Sequence, residues 1–593
     1  MPAGNDRPTP PEPGEAKSES RSNATAVSAP FSGSAASAQR PPLTQRLTSV
    51  RQALTPLLLV VTLASPVVAV VWSLRSPDRE VWSLLARTNL ARMIITTIGL
   101  AVGVALGAIA LGAGLAWLCV TARFPGRTLF RRLLVVPLAL PAYVNAFVWT
   151  GLLQYAGPVQ TTWRSWFGND AWFPPVRTPV GAALVLILSL YPYVYLASLS
   201  AFDEQASVLC AAASTLGLRP PAILWRVALP AIRPALVAGG GLVAMETLTD
   251  VGVARAFSVS TLGDGVLRVW FGLDRRDAAA ELASMLVGLV LLLVLIERAT
   301  RGHRRFTARG TSPFPAEPRL LTGRQAVAAF SACAATFTFA AGIPLWTLVV
   351  WAVRANRRGG EGAFDATYVR LVQTSLQLAT WTALVCVVVG VILALGARRD
   401  SWSKASGWGE RLGRVASLGY AVPGLVVAAG VLTLLTWLDG RLDALAAWDD
   451  RLYVPFLLAG STAGVVYALV VRFVAVAREN IEAGGARIDP RVEQVAATLG
   501  AGTLRRRWRV TLPLVRSSVL VGGLLVAIDT LKELPATLLL RPPGRDTLGV
   551  FVWNMTNESR WEEAATPALT IVVIGLPLVL LVLGRAMSPS GRR

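Results

Sequence analysis

The chain has 593 residues, of which 53% are hydrophobic and only 16% are charged, and its formal net charge is +22. Ordinary soluble domains carry about 25% charged residues. Apolar runs of about 20 residues, the length that a helix needs to cross a bilayer, recur along this sequence. The composition therefore excludes an ordinary soluble protein and predicts a multi-pass helical membrane protein.

The positive charge is concentrated in short arginine-rich loops between the apolar runs. This distribution is typical of the cytoplasmic loops of membrane proteins, and it argues against a nucleic-acid-binding surface. The four cysteines form no CxxC pair, and the single histidine, His303, lies in an arginine-rich stretch. We therefore expect no disulfide framework, no zinc site, no resident cofactor and no nucleic-acid partner.

Residues 1–50 are rich in Pro, Ser, Ala, Glu and Arg without apolar periodicity, which predicts a disordered cytoplasmic tail. Twelve candidate membrane spans follow. In the first half of the chain they begin near Thr55, Met93, Leu133, Pro179, Ala235 and Ala280. In the second half they begin near Ala326, Thr374, Val415, Val454, Ser518 and Pro567. Basic loops after spans two, six and eight alternate with less basic loops, so both termini are expected in the cytoplasm.

One segment of the chain occurs twice. Residues 211–230 read AAASTLGLRPPAILWRVALP, and residues 494–513, in the other half of the chain, read QVAATLGAGTLRRRWRVTLP. We call these segments the first and the second loop motif. The apolar segments from Thr96 and Thr374 also match in pattern, at nearly the same offset. The predicted fold class is therefore an all-α polytopic membrane protein with about twelve transmembrane helices in two parallel six-helix repeats.

The repeat divides the chain into segments, and both loop motifs fall on the cytoplasmic side. The predicted boundaries are a disordered tail at 1–50, a first transmembrane helix with a periplasmic loop at 51–92, the first half at 93–298, a cytoplasmic linker at 299–325, a seventh transmembrane helix with a periplasmic loop at 326–369, the second half at 370–586 and a cytoplasmic C-terminal tail at 587–593.

Each loop motif predicts two short helices on the cytoplasmic face. Gly217 and Gly500 suit the left-handed residue that ends a helix. Pro230 and Pro513 interrupt the helical pattern just before the next span begins. Small residues in the motif permit close approach by another protein, whereas the alternative is a connector that only lies at the membrane interface. Because the motif occurs twice at matched spacing, we interpret it as a docking surface.

Both loop motifs resemble the EAA loop of ABC importer permeases, whose pattern is Glu-Ala-Ala, three residues, Gly, nine residues, an aliphatic residue, any residue and Leu-Pro. The resemblance implies a type I importer permease fold. In the first motif the implied ATPase-coupling residues are Ala211, Ala212, Ala213, Gly217, Val227, Leu229 and Pro230. In the second motif they are Gln494, Ala496, Gly500, Val510, Leu512 and Pro513. The leading Glu of the family pattern is absent from both copies, and Val495 replaces the first Ala of the second.

The resemblance also implies partner subunits. In that family the loop is a coupling helix that docks in a groove of an ATP-binding subunit. Two cytoplasmic ATP-binding subunits and a periplasmic substrate-binding protein are therefore the implied partners, with membrane lipid around the spans. None of the three lysines follows a glycine, so the chain has no P-loop and ATP would be used by the partners. The chain is expected to be a transport subunit of the bacterial inner membrane and not an enzyme.

Acidic residues recur in the span after each loop motif. Glu246 and Asp250 lie four residues apart, and Asp529 and Glu533 are their equivalents at the offset that relates the loop motifs. Four-residue spacing places both carboxylates on one helical face, and charges inside a membrane span usually face a cavity or a partner. One interpretation is an acidic constriction on the translocation pathway that suits a cation such as Fe³⁺. In the alternative, both pairs lie at the periplasmic helix end beside basic side chains, namely Arg255 or Lys532.

The stretch DTLKELPATLLLRP around the second acidic pair resembles the iron(III) branch of these permeases, in which both halves are fused in one chain. The resemblance implies ferric iron as cargo. Thiamine permeases share the fused layout, so thiamine, sulfate or another small solute is an alternative cargo. A gradient-driven secondary transporter with twelve helices is an alternative of another class, and a membrane enzyme or scaffold is a third.

Overall fold

The computed structural model describes residues 43–75, 77–203, 207–301, 318–358, 365–397, 419–446 and 458–586. The chain divides into two units, Met1–Val50 and Arg51–Arg593. Of the first unit only 43–50 are described, and they are helical although the sequence predicts a disordered tail there. The rest of that tail, His303 with the middle of the predicted linker, and the predicted C-terminal tail lie outside the described residues.

The described part of the chain is built almost entirely from helices. In the first half these are α1 (Leu43–Ser73), α2 (Arg79–Thr88), α3 (Leu90–Thr121), α4 (Arg127–Leu133), α5 (Ala142–Leu153), α6 (Pro158–Phe167), α7 (Pro179–Ala201), α8 (Ser207–Thr215), α9 (Pro220–Ile223), α10 (Leu229–Thr249), α11 (Val251–Ala256), α12 (Leu262–Gly272) and α13 (Arg276–Arg301). In the second half they are α14 (Gly323–Phe337), α15 (Ile343–Arg358), α16 (Ala366–Ala397), α17 (Gly424–Ala446), α18 (Thr462–Ala486), α19 (Pro490–Thr498), α20 (Thr503–Arg506), α21 (Leu512–Leu514), α22 (Arg516–Lys532), α23 (Pro535–Leu540), α24 (Leu548–Asn557) and α25 (Trp561–Ala586).

Shorter elements join these helices. A 3₁₀ turn occupies Val136–Ala139, and π-helical turns occupy Leu224–Ala228, Thr338–Gly342 and Arg507–Thr511. Two short strands, β1 (Ala122–Arg123) and β2 (Arg319–Leu320), pair in parallel. This pairing attaches the end of the predicted linker to the end of α3. The predicted segment boundaries themselves stay a prediction.

The predicted all-α polytopic fold is confirmed. Eight helices among the described residues are long and apolar enough to cross a membrane, and the number rises to ten if each of two bent helix pairs counts as one span. The two remaining predicted spans are also helical. The apolar part of α1 is short, at Leu57–Ser73, and α18 has Arg472 and Arg478 among its buried residues.

The third predicted span is a bent pair and not one straight helix. Its two arms, Arg127–Ala139 and Ala142–Phe167, meet at an angle of 91°. The break contains Pro141, which caps α5, and Leu140 before it is in an extended conformation. A proline cannot continue the hydrogen-bond ladder of a preceding helix, and it disfavours helical geometry in the residue before it. The bend therefore follows from the local sequence.

The two halves share detailed hydrogen bonds as well as the order of their helices. The amide of Leu262, at the start of α12, donates to Thr97 Oγ1 at 2.9 Å. In the second half the amide of Leu548, at the start of α24, donates to Ser375 Oγ at the same distance. Thr97 and Ser375 each directly follow the residue, Thr96 or Thr374, from which the two apolar segments match in the sequence. The repeat is therefore structural.

Helix α1 packs against the second half of the chain. The Tyr467 hydroxyl of α18 donates to the carbonyl oxygen of Thr62 at 2.6 Å and forms a hydrogen bond with Ser65 Oγ at 3.0 Å. Gly430 of α17 lies so close to Pro66 that a Cβ at position 430 would overlap the Pro66 carbonyl group. The first helix of the chain is therefore held by the opposite half.

A reciprocal contact joins the helices after the linker to the first half. Trp351 of α15 stacks on Phe147 of α5, with ring centroids 6.4 Å apart. Asn145 Nδ2 of α5 donates to the carbonyl oxygen of Ala340 at 3.3 Å. Buried side chains of both halves form one continuous hydrophobic core. The halves are interlocked and not merely adjacent.

Substituting Gly430 by alanine is expected to lower the free energy of unfolding by about 1–3 kcal/mol, the usual cost of inserting a methyl group into a closed contact. The cause is the displacement of α1 at Pro66. Gly440 is the matched control, because it lies on the same helix with nothing within 4 Å of its Cβ position. Thermal unfolding of the purified variants measures both effects. Equal stability of Gly430→Ala and Gly440→Ala would contradict the α1 contact.

Candidate functional site

The first loop motif forms a helix, a left-handed turn and a second helix that continues into the membrane. Helix α8 ends at Thr215, and Gly217 follows with φ +79°. The amide of Leu218 donates to the Ala213 carbonyl at 3.2 Å, which closes the turn typical of a glycine cap. Helix α9 then starts at Pro220, as expected for a proline in a first helical turn.

The second loop motif has the same construction. Helix α19 ends at Thr498, and Gly500 has φ +78°. The amide of Ala501 donates to the Ala496 carbonyl at 3.0 Å. The π-helical turn Arg507–Thr511 occupies the same place in this motif as Leu224–Ala228 in the first. One difference is a bend of 72° between Leu504–Leu514 and Arg516–Lys532, where the first copy continues without such a bend.

The structure distributes the predicted coupling residues between the surface and the interior. The exposed ones are Ala212, Gly217, Pro230, Gln494, Gly500 and Pro513. The half-buried ones are Val227, Leu229, Ala496, Val510 and Leu512, and Ala213 is buried. The side chain of Ala211 lies outside what the structure describes. Roles for these residues in coupling remain a prediction.

Sequence reasoning missed the apolar side chains that both motifs expose. Leu216 and Leu499 are each 81% exposed, and Trp225 and Trp508 are 71% and 54% exposed. Each pair occupies equivalent positions of the two motifs. Exposed large apolar side chains are typical of surfaces that contact a partner protein or a membrane. The repeated Trp-Arg-Val was visible in the sequence, but its exposure was not.

A polar contact connects Glu493, one residue before the second loop motif, to the end of that motif. The Thr511 hydroxyl donates to Glu493 Oε1 at 3.3 Å and so connects α19 to the π-helical turn. The equivalent of Glu493 in the first motif is Cys210, which is half-buried. Burial raises the pKa of the Cys210 thiol above its usual range. The two motifs therefore share a backbone but differ in internal chemistry.

The span after each motif is interrupted between its two acidic residues. Helix α10 ends at Thr249, and Asp250 caps α11 by accepting a hydrogen bond from the Val253 amide at 2.7 Å. Helix α22 ends at Lys532, and Glu533 accepts hydrogen bonds from the Ala536 amide at 3.0 and 3.1 Å. The interpretation of each pair as one face of a continuous helix is therefore wrong for its second member. A capping carboxylate satisfies amides that a helix start leaves free.

The structure nevertheless brings all four carboxylates to one cavity. Its volume is about 120 Å³, and both halves line it. Its charged and phenolic lining residues are Glu246, Asp250, Asp529, Glu533, Arg472, Lys532, Tyr143, Tyr193 and Tyr420. The cavity lies where α10 and α22 end, and α10 connects it directly to the first loop motif, whereas α22 begins just after the second loop motif, beyond the 72° bend.

Two of the carboxylates are paired with basic side chains. Lys532 Nζ lies 3.3 Å from Asp529 Oδ1 and donates to the carbonyl oxygen of Leu138, in the first half, at 3.1 Å. Arg472 Nη1 lies 2.7 Å from Glu533 Oε1. The alternative of pairing with Lys532 therefore applies to Asp529.

The alternative that Arg255 forms an ion pair with one of the acidic pairs is wrong. Its nearest carboxylate among the described residues is Asp264, at 4.0 Å, and not a member of either acidic pair. Glu246 instead accepts a hydrogen bond from the Tyr420 hydroxyl at 3.3 Å. Sequence reasoning missed Arg472, although an arginine within an otherwise apolar span is a recognised sign of a functional or paired charge. It also missed the three tyrosines, which the sequence alone does not assign to one cavity.

A family model described as "Binding-protein-dependent transport system inner membrane component" matches residues 108–301 and 386–585. The two matches contain the two loop motifs and cover more than half of the chain. The chain belongs to this family. The resemblance predicted from the loop motifs is thereby confirmed, and the protein is a multi-pass membrane permease that contains the family's domain twice.

Relatives of this permease include transport proteins for different cargoes. It is 25% identical to the Fe(3+)-transport system permease protein FbpB 2 of Haemophilus influenzae, over 84% of this chain and 91% of that protein. It is 30% identical to a putative 2-aminoethylphosphonate transport system permease protein of Salmonella typhimurium, over 35% of this chain and 70% of that protein. The sulfate transport system permease protein CysW of Synechocystis is 27% identical over 32% of this chain and 70% of its own length.

Proposed function

We propose that this permease is the membrane subunit of an ATP-driven importer and that ferric iron is its cargo. The observation that carries this proposal is the pair of loop motifs, which repeat the same left-handed glycine and the same exposed Leu and Trp at matched positions. Two cytoplasmic ATP-binding subunits dock on these two surfaces. A periplasmic substrate-binding protein delivers the cargo to the opposite side, and both termini are cytoplasmic.

Movement at the docking surface reaches the cavity through one helix in each half. Helix α10 has 21 residues, which corresponds to a length of about 30 Å. It begins at Leu229, inside the first loop motif, and ends beside Asp250 at the cavity. Helix α22, which begins at Arg516 just after the second loop motif and beyond the 72° bend, makes the corresponding connection in the second half. Closure of the ATP-binding subunits thus moves the cavity walls without any chemistry by ATP on this chain.

Ferric iron is the cargo favoured by two independent considerations. The relative that aligns over most of the permease is named for Fe(3+) transport. The cavity has two more carboxylates than basic side chains, and carboxylates are ligands that hard cations prefer. The second candidate cargo is an oxyanion, because relatives that align with 35% and 32% of the chain are named for aminoethylphosphonate and sulfate transport.

Alkylation of Cys210 provides a test of docking on the native sequence. Cys210 is half-buried and lies one residue before the first loop motif, whereas the other three cysteines are buried. Because burial raises its pKa, the reactive thiolate is scarce at neutral pH and alkylation should accelerate as the pH rises. Docking of the ATP-binding subunit should slow the alkylation of Cys210 several-fold at one alkaline pH, and the two subunits should co-purify.

The test variant replaces both exposed tryptophans of the loop motifs, Trp225→Ala with Trp508→Ala. It should weaken co-purification of the ATP-binding subunit and restore fast alkylation of Cys210. Trp166 is an exposed tryptophan outside both motifs, and its replacement by alanine should leave both readouts unchanged. Equal alkylation rates with and without the ATP-binding subunit, together with no co-purification, would contradict the proposed function.

A further inference from the structure

The two halves contribute unequal charge to the central cavity. Arg472 of α18 and Lys532 of α22 supply both of its basic side chains. At the offset that relates the loop motifs, their equivalents in the first half are Ser189 and Thr249, which also line the cavity and carry no charge. The N-caps of α7 and α18 confirm this equivalence, since Thr178 and Ser461 are separated by the same offset and accept the same type of capping bond.

Because of this unequal charge, the carboxylates of the second half have ion-pair partners that the equivalent carboxylates of the first half lack. Asp529 and Glu533 are neutralised by Lys532 at 3.3 Å and by Arg472 at 2.7 Å. The Glu533 side chain is only 1% exposed. Within the described residues, neither Glu246 nor Asp250 forms an ion pair with a basic side chain, and both are half-buried at the cavity wall. Within the described residues, Glu246 and Asp250 are therefore the two carboxylates of the cavity that have no ion-pair partner.

Tyr143 is a second, independent indication of a ligand at the same place. The residue is only 8% exposed, and its hydroxyl has no hydrogen-bond partner in the part of the chain that the structure describes. A buried hydroxyl without a partner is unfavourable unless something binds it and is rare in folded proteins. Tyr143 is one of the residues that line the acidic cavity, together with Glu246 and Asp250.

The structure makes room for Tyr143 from both halves. A Cβ at Gly252 would overlap the Tyr143 side chain, and a Cβ at Gly549 would lie 2.9 Å from its hydroxyl oxygen. Tyr143 and Gly252 also line a second cavity of about 160 Å³, which includes Arg177 and Arg255. Tyr143 therefore stands between the acidic cavity and a neighbouring basic one.

We propose that Glu246, Asp250 and Tyr143 form the cargo-binding site of the permease, and that its ligand is a hard metal cation bound through carboxylate and phenol oxygens. Asp529 and Glu533 serve instead as the structural partners of Lys532 and Arg472. This assignment rests on the proposed function. Within the described residues no group of three His, Cys, Asp or Glu side chains is placed to hold a metal ion, and the proposed ligand set accordingly combines two carboxylates with a phenol oxygen.

The test measures binding of Tb³⁺, a redox-inert trivalent cation, to the full chain in lipid nanodiscs. Tyrosine next to bound Tb³⁺ sensitises its luminescence, so the readout reports binding beside a phenol. The double variant Glu246→Gln with Asp250→Asn should raise the Kd by at least about tenfold, which corresponds to losing more than one favourable contact. The charge-neutral variant Asp529→Asn with Lys532→Met is the matched control, for which we expect a change of at most about threefold.

A spectroscopic measurement keeps the proposal testable if the double variant does not fold. Fe³⁺ added to the native chain should produce a visible phenolate-to-iron charge-transfer band, and Tyr143→Phe should remove most of it. Persistence of the full band in Tyr143→Phe, or unchanged Tb³⁺ affinity in the Glu246 and Asp250 variant, would overturn the assignment. Sulfate binding that depends on Arg177 or Arg255, with no saturable Tb³⁺ binding, would also overturn it in favour of an anionic cargo.

These outcomes are separable from the proposed function. ATP-driven iron uptake that survives loss of Glu246 and Asp250 would refute this site while leaving the importer role intact. Tb³⁺ binding that follows the expected order, in a permease that never transports with an ATP-binding subunit, would refute the importer role and leave the site intact.

Discussion

Replacing both Gly217 and Gly500 by valine is expected to abolish ATP-driven uptake while the protein still inserts into the membrane. Both glycines have φ near +80°, a conformation that costs residues with a Cβ about 1–2 kcal/mol and is especially unfavourable for β-branched ones. Nothing lies within 4 Å of either Cβ position, so the effect comes from backbone strain and not from a clash. The strain reorients the second helix of each loop motif, and the docking surface is lost.

Asparagine at the same two positions is the matched control, because it adopts the left-handed conformation more readily than other residues with a Cβ. Gly217→Asn with Gly500→Asn should retain most of the uptake. Uptake of the cargo into proteoliposomes, normalised to the amount of inserted protein, measures both variants. Full activity of the valine variant would show that the turn geometry does not matter for coupling, which would contradict the docking assignment.

Substituting Arg472 by methionine is expected to destabilise the permease severely. It would leave Glu533 as an uncompensated charge in a site where its side chain is 1% exposed, and breaking one member of a buried ion pair costs about 3–5 kcal/mol. Glu533 is packed closely against the start of α17, because a Cβ at Gly424 would already lie 2.6 Å from Glu533 Oε1. We expect a large loss of folded protein in thermal unfolding and in the yield of monodisperse material.

The compensating variant separates charge from packing. Arg472→Met combined with Glu533→Gln removes both charges, and a glutamine carbonyl can still accept the hydrogen bond from the Ala536 amide. This double variant should recover most of the lost stability, since replacing both members of a buried pair is often close to neutral. A double variant as unstable as Arg472→Met alone would show that the arginine contributes through packing and not through the pair.

The helices and the repeat could be predicted from the sequence because both depend on local patterns. Apolar runs of membrane length locate the spans, and the matched spacing within the two loop motifs places the left-handed turns at Gly217 and Gly500. The 91° bend in the third span depends on Pro141 and its neighbours, which is also local information, but the apolar run there masks it. The packing of α1 against the second half depends on tertiary contacts such as that between Gly430 and Pro66, and no local sequence pattern predicts it.

The candidate site was predictable only in part. The acidic residues could be found because charges in an apolar span are conspicuous, and their shared offset marked them as equivalent. Their division into paired and unpaired carboxylates depends on Arg472 and Lys532, which reach the cavity from different helices of the second half. The role of Tyr143 depends on glycines at 252 and 549 that lie far apart in the sequence. Such convergence follows from packing and not from any local motif.

The most direct test of the central claim is uptake of Fe³⁺ into proteoliposomes that contain this permease, its ATP-binding subunits and its substrate-binding protein. We expect uptake that requires both hydrolysable ATP and the binding protein, and that disappears in the Gly217→Val with Gly500→Val variant. Uptake by the permease alone, driven by an ion gradient without the ATP-binding subunits, would rule out an ATP-driven importer and identify a secondary transporter.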